Sequence, residues 1–86
     1  MKINVNHTLS RIEQLYECGR QEDGCHARMA FAKADKKGRE IFRDYFRLIG
    51  IEPRVDAAGN MIARMEGQHP DWPAIVMGSH LDTVPD

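Results

Sequence analysis

Ala74-Ile75-Val76-Met77-Gly78-Ser79-His80-Leu81-Asp82-Thr83-Val84-Pro85 is the stretch whose reading decides the fold. Its first four residues form an unbroken apolar run, the signature of a central strand buried on both faces. Gly78 ends the run, and His80 and Asp82 follow directly. In open α/β sheets, ligands bind outside the carboxyl ends of the strands. The two side chains with most chemistry therefore fall where such a sheet would present them.

Upstream of this stretch the pattern has period two. Ile51, Pro53 and Val55 alternate with Glu52, Arg54 and Asp56, and Met61 to Glu66 alternates again. Ala57-Ala58-Gly59-Asn60 between them is a compact turn, so the two runs predict a hairpin. Pro53 has no N–H for a ladder and confines its segment to an edge strand or a strand start. Further upstream the period becomes helical. Ile41, Tyr45 and Leu48 form one row, and Phe42, Phe46 and Ile49 form the next, a face that predicts packing on a sheet. Asp35 suits the positive end of this helix, and Gly50 follows Ile49 as a C-cap should. Gly38 inside it costs about 1 kcal/mol against Ala. A first helix is predicted over residues 6–18 from Leu9, Ile12, Leu15 and Tyr16, with Asn6 as N-cap and Gly19 as stop. Within residues 19–34, Gly24 and the polar group Arg20-Gln21-Glu22-Asp23 read as loop, and Ala27, Met29, Phe31 and Ala32 read as extended or as the start of a second helix. Two helices followed by three strands predict an α/β or α+β layer fold, with α/β the expected class.

The chain has 86 residues, enough for one small domain. Twelve Lys and Arg against 13 Asp and Glu, a formal charge of −1, argue against a broad basic footprint for nucleic acid or an anionic membrane. No apolar run approaches the roughly 20 residues of a membrane span. The first seven residues lack a signal-peptide core, so the expected compartment is the cytoplasm. Cys18 and Cys25 lack the spacing of a zinc or redox motif and read as two free thiols. Lys33, Lys36, Lys37 and Arg39, interrupted by Asp35 and Glu40, read as a solvated helix end. His7 and His69 read as surface residues, and Trp72 as packing down its loop.

A His at a strand end can ligate a metal through one ring nitrogen, while a carboxylate nearby accepts from the other and fixes the tautomer. His-x-Asp alone is weak, since Asp follows any His at that offset roughly one time in twenty. The eight residues Gly78 to Pro85, GSHLDTVP, set after an apolar run, are far more specific. They resemble the first metal-binding motif of the dinuclear zinc amidohydrolase and peptidase superfamily, which includes carboxypeptidases, acetylornithine deacetylases and aminoacylases. Val55-Asp56-Ala57-Ala58-Gly59-Asn60 resembles the "VDxxGN" hairpin of one branch: the N-carbamoyl-L-amino-acid hydrolases, β-ureidopropionase and allantoate amidohydrolase. Arg28 and the segment from Asp35 to Gly50 match that branch more loosely.

The resemblance implies the N-terminal part of a zinc-exopeptidase-like three-layer fold, with residues 1–86 an incomplete sheet and part of a metallohydrolase catalytic domain. It implies that His80 ligates one of two divalent ions (Zn, Mn, Co or Ni) and that Asp82 is an active-site carboxylate beside it. Asp56 and Asn60 would support the site, although Asn after Gly also suits plain turn chemistry. The implied reaction is hydrolysis of a carbamoyl or ureido amide in a small substrate such as an N-carbamoyl-L-amino acid, by a homodimer at full length. The family's next ligand, in a Gly-Gly-x-x-Asp-Gly segment, has no counterpart in this sequence, and Asp86 lacks that glycine context. The 86 residues alone are therefore expected to be inactive and to bind metal weakly. Two other readings stay open: a peptidase or deacetylase of the same superfamily, and a small binding module that retains the motif without its chemistry.

Overall fold

The computed structural model describes residues 2–85. Helix α1 spans Val5–Glu17, α2 spans Lys33–Leu48, and strands β1 (Arg54–Val55) and β2 (Met61–Ile62) follow. The chain divides into two units, Met1–Phe42 with Leu81–Asp86, and Arg43–His80.

In the first unit, α1 starts one residue before the predicted position. Asn4, not Asn6, is the N-cap: its backbone is extended, and its side chain accepts from the His7 N–H at 3.0 Å. Cys18 closes the helix by donating its N–H to Leu15 O. Gly19 follows at φ +141°. A Cβ there would sit 2.7 Å from Ala27 O, so only glycine lets the chain double back at this point. Residues 20–26 form a small antiparallel loop with a bridge between Arg20 and His26. Asp23 accepts from the Cys25 N–H, and Gln21 donates to Cys25 O. Both thiols are free, Cys18 buried and Cys25 exposed.

Helix α2 begins at Lys33, which puts Ala32 at the position where Ser or Thr usually caps. Asp35 compensates: its carboxylate accepts from the Phe31 N–H at 3.0 Å and holds that residue at φ 66°. The buried residues of this unit are Cys18, His26, Arg28, Asp35 and Gly38, a centre more polar than apolar. On the α2 face expected to pack on a sheet, Ile41 and Phe42 are half-buried. Leu9 and Ile12 of α1 are exposed.

In the second unit, α2 ends in a Schellman motif. Ile51 donates to Phe46 O and Gly50 to Arg47 O, both at 3.0 Å, with Gly50 at φ +81°. Tyr45 and Phe46 are half-buried, while Leu48 and Ile49 are exposed. An Arg47–Glu52 ion pair at 2.7 Å spans this turn and holds the Glu52 carboxyl below its ordinary range, chiefly through the hydrogen bond. The predicted hairpin is present but short. β1 and β2 pair antiparallel, Arg54 against Ile62 and Val55 against Met61.

The third predicted strand is not formed. Ala74 to Met77 carries no ladder, and Ile75, Val76 and Met77 are 92%, 88% and 89% exposed. A central strand requires hydrogen-bonded neighbours and a layer over each face. Among the described residues the only sheet is the hairpin, whose strands are two residues long. The elements among the described residues are two helices and one hairpin, consistent with an α/β fragment. Trp72 stacks on His69 with ring centroids 4.0 Å apart, while both side chains remain exposed.

Candidate functional site

The predicted site residues fall in three places. His80 is exposed at the end of the second unit. Asp82 is half-buried in the first. Asp56 and Asn60 meet in the hairpin turn. Asp56 Oδ1 accepts from the Ala58 N–H at 3.0 Å and the Asn60 N–H at 2.8 Å, and Oδ2 accepts from Asn60 Nδ2 at 3.0 Å. These bonds hold the Asp56 carboxyl below its ordinary range, the Asn60 side chain having the largest effect. The contacts are those of a tight turn around Gly59 at φ 91°.

The segment carrying Asp82 is the best-anchored part of this region, and Arg28 anchors it. Arg28 is 6% exposed. Its Nε donates to Leu81 O at 2.9 Å, and its Nη1 donates to Leu15 O and to Cys18 O. Its backbone pairs with Thr83. The Arg28 N–H donates to Thr83 Oγ1 at 3.1 Å, and the Thr83 N–H donates to Arg28 O at 2.8 Å. Thr83 Oγ1 also lies 3.2 Å from His26 Nδ1, and the His26 ring stacks on Tyr16 at 4.3 Å. Both peptide neighbours of Asp82 are thus bonded to one residue.

Charged side chains are rarely buried unless compensated. Here the compensation is the carboxyl end of α1, where the helix dipole and the last carbonyls favour a cation. α1 has no basic residue in its own last turn, and Arg28 supplies that charge from the following loop. The close approach explains Gly38. A Cβ on Gly38 would lie 3.1 Å from Arg28 Cδ and 3.5 Å from Arg28 Nε. The glycine in α2 makes room for the Arg28 side chain, above all its Cδ.

Sequence reading singled out His80 and Asp82 but not the His26–Arg28–Thr83 cluster, apart from the loose family match at Arg28. The one local signal was Gly38, an unexplained glycine inside a helical pattern. Among the described residues, no group of three or more His, Cys, Asp or Glu side chains is placed to hold a metal ion. A zinc site takes three or four protein ligands. No helix among the described residues is long and apolar enough to cross a membrane.

No protein-family model matches the chain. Individual curated proteins do. The chain is 38% identical over 74 residues to an N-carbamoyl-L-amino acid amidohydrolase of Geobacillus stearothermophilus, covering 86% of this chain and 18% of the relative. It is 37% identical over 73 residues to an N-carbamoyl-L-amino-acid amidohydrolase of Pseudomonas sp. (strain NS671), covering 85% and 18%. It is 34% identical over 84 residues to an allantoate amidohydrolase of Bacillus subtilis (strain 168), covering 96% and 20%. The chain thus spans about a fifth of the length of the curated relatives it matches. Nearly all of its residues take part in these matches, and it belongs to the family of the N-carbamoyl-L-amino-acid and allantoate amidohydrolases.

Proposed function

We propose that the chain is part of the catalytic domain of a metal-dependent amidohydrolase that cleaves a linear C–N bond of a carbamoyl or ureido group. N-carbamoyl-L-amino acids are the substrate class. The observation that carries this reading is the 38% identity over 74 residues to a relative named for that activity. In the reaction, water adds to the carbamoyl carbon and the amine leaves. His80 is assigned an imidazole donor to a divalent cation, and Asp82 a carboxylate of the active site. The remaining cation ligands and the general base are assigned to residues outside the 86. The working protein is a homodimer in the cytoplasm, where the thiols of Cys18 and Cys25 stay reduced.

The test is a hydrolysis assay on N-carbamoyl-L-amino acids with added Mn, Co, Ni or Zn. It is run on this chain and on the whole product of the gene that encodes it. The expected result is turnover by the whole product and none by the 86 residues. A folded, metal-loaded product that cleaves dipeptides or N-acetyl amino acids but no carbamoyl or ureido compound would favour the peptidase or deacetylase reading. A product with no hydrolytic activity would favour the binding module. Calorimetry with zinc gives a second check: the 86 residues should show no stoichiometric site of nanomolar affinity, because His80 alone cannot fill a tetrahedral shell.

A further inference from the structure

We propose that Arg28 is the positioning residue of the Asp82 segment. The residue before Asp82 is held through its carbonyl by the Arg28 guanidinium, at 2.9 Å. The residue after it is held by two bonds to the Arg28 backbone, at 2.8 and 3.1 Å. One residue therefore joins the end of α1 to a segment 53 to 55 positions along the chain: its side chain binds Leu15 O, Cys18 O and Leu81 O, and its backbone binds Thr83. Few other residue types can do this. The planar guanidinium has five donors in a fixed fork, and its charge answers the negative end of the helix. A lysine keeps the charge but is a point donor on a flexible stem, so it cannot serve the end of α1 and Leu81 together. Thr83 completes the clasp. Its hydroxyl accepts from the Arg28 N–H and meets His26 Nδ1. The clasp sets the direction in which Asp82 leaves the backbone, and so the placement of a carboxylate that has to be aimed to within a fraction of an ångström. The importance of Asp82 rests on the amidohydrolase reading, whereas the clasp itself does not.

The test measures order and turnover separately. Order is read by NMR on the 86-residue chain, as amide exchange at Thr83 and as χ1 averaging of Asp82 from three-bond couplings. Arg28→Lys should leave the α1 and α2 shifts in place, speed Thr83 exchange roughly ten- to a hundredfold, and average Asp82 χ1. Should Arg28→Lys unfold the chain, Thr83→Val decides. It keeps the side-chain shape and removes the hydroxyl, and it should loosen the same two readouts while Thr83→Ser retains them. Turnover is read on the whole gene product, where Arg28→Lys should lower kcat with KM little changed. Unaltered exchange and χ1 in the folded variants would overturn the clasp. Lost order with unchanged kcat would overturn its role in positioning. A parent protein that turns over no carbamoyl substrate would overturn the amidohydrolase reading and leave the order measurement standing.

Discussion

Replacing a glycine inside a helix by alanine ordinarily stabilises a protein by about 1 kcal/mol. Gly38→Ala should do the reverse. The new Cβ would lie 3.1 Å from Arg28 Cδ, with Cys18 Cβ at 4.0 Å. Carbon atoms in good contact lie about 3.5–4.0 Å apart, so Arg28 has to retreat by several tenths of an ångström. Its head is tied to Leu15 O, Cys18 O and Leu81 O, which leaves little freedom to retreat. A hydrogen bond involving a charged group contributes about 1.5–3 kcal/mol, and overpacking typically costs about 1–3 kcal/mol. Crowding plus one weakened bond outweighs the helix gain. The expected net loss is about 1 kcal/mol. Urea unfolding followed by far-UV circular dichroism reads it as a lower midpoint at unchanged m. The sign should invert in an Arg28→Ala background, where the added methyl meets no obstacle and Gly38→Ala stabilises by about 1 kcal/mol. A raised midpoint for Gly38→Ala in the parent chain would refute the reasoning, as would a sign that does not depend on Arg28.

Three further outcomes are expected. Gly19→Ala places a Cβ 2.7 Å from Ala27 O at a backbone φ of +141°, and thermal unfolding should show a loss of about 1–3 kcal/mol. Asp56 has a carboxyl held below its ordinary range by Asn60 and the turn amides. Its stabilising effect is therefore complete above the unfolded pKa near 3.9 and lost as pH falls through the lower folded value. Amide exchange at Asn60, corrected for intrinsic rates, should accelerate only in that acid window, and Asp56→Ala should show the fast rate at every pH. Finally, Ile75, Val76 and Met77 form an exposed apolar run without a ladder, so sedimentation velocity should show association that grows with concentration. Val76→Lys should shift the chain toward monomer, and a parent chain that stays monomeric at all concentrations would contradict the expectation.

What was legible in the sequence was local. The period of Leu9, Ile12, Leu15 and Tyr16 located α1 to within a residue at each end. The cap was misplaced because Asn4 and Asn6 have the same side chain, and only the extended backbone at Asn4 tells them apart. Gly50 marked the end of α2 because left-handed backbone at a Schellman motif selects glycine. The hairpin followed from Asp56 to Asn60, a short segment whose bonds close on one another. The reading of residues 74–77 went further than local chemistry allows. An apolar run can indicate a buried strand, but a ladder needs partner strands, and among the described residues none pairs with this segment.

By itself, then, the sequence determined the two helices, the end of α2 at Gly50, the hairpin turn, and the family resemblance through its GSHLDTVP and VDAAGN segments. Each of these depends on residues within a few positions of one another. Only the tertiary structure decided what Arg28, Gly38 and Thr83 are for. Arg28 is 53 positions from Leu81 and 55 from Thr83, and no periodicity or spacing relates residues so far apart. The helix-weakening glycine, the buried arginine and the threonine beside Asp82 form one arrangement, because a Cβ at position 38 would crowd the Arg28 side chain at Cδ, 3.1 Å away.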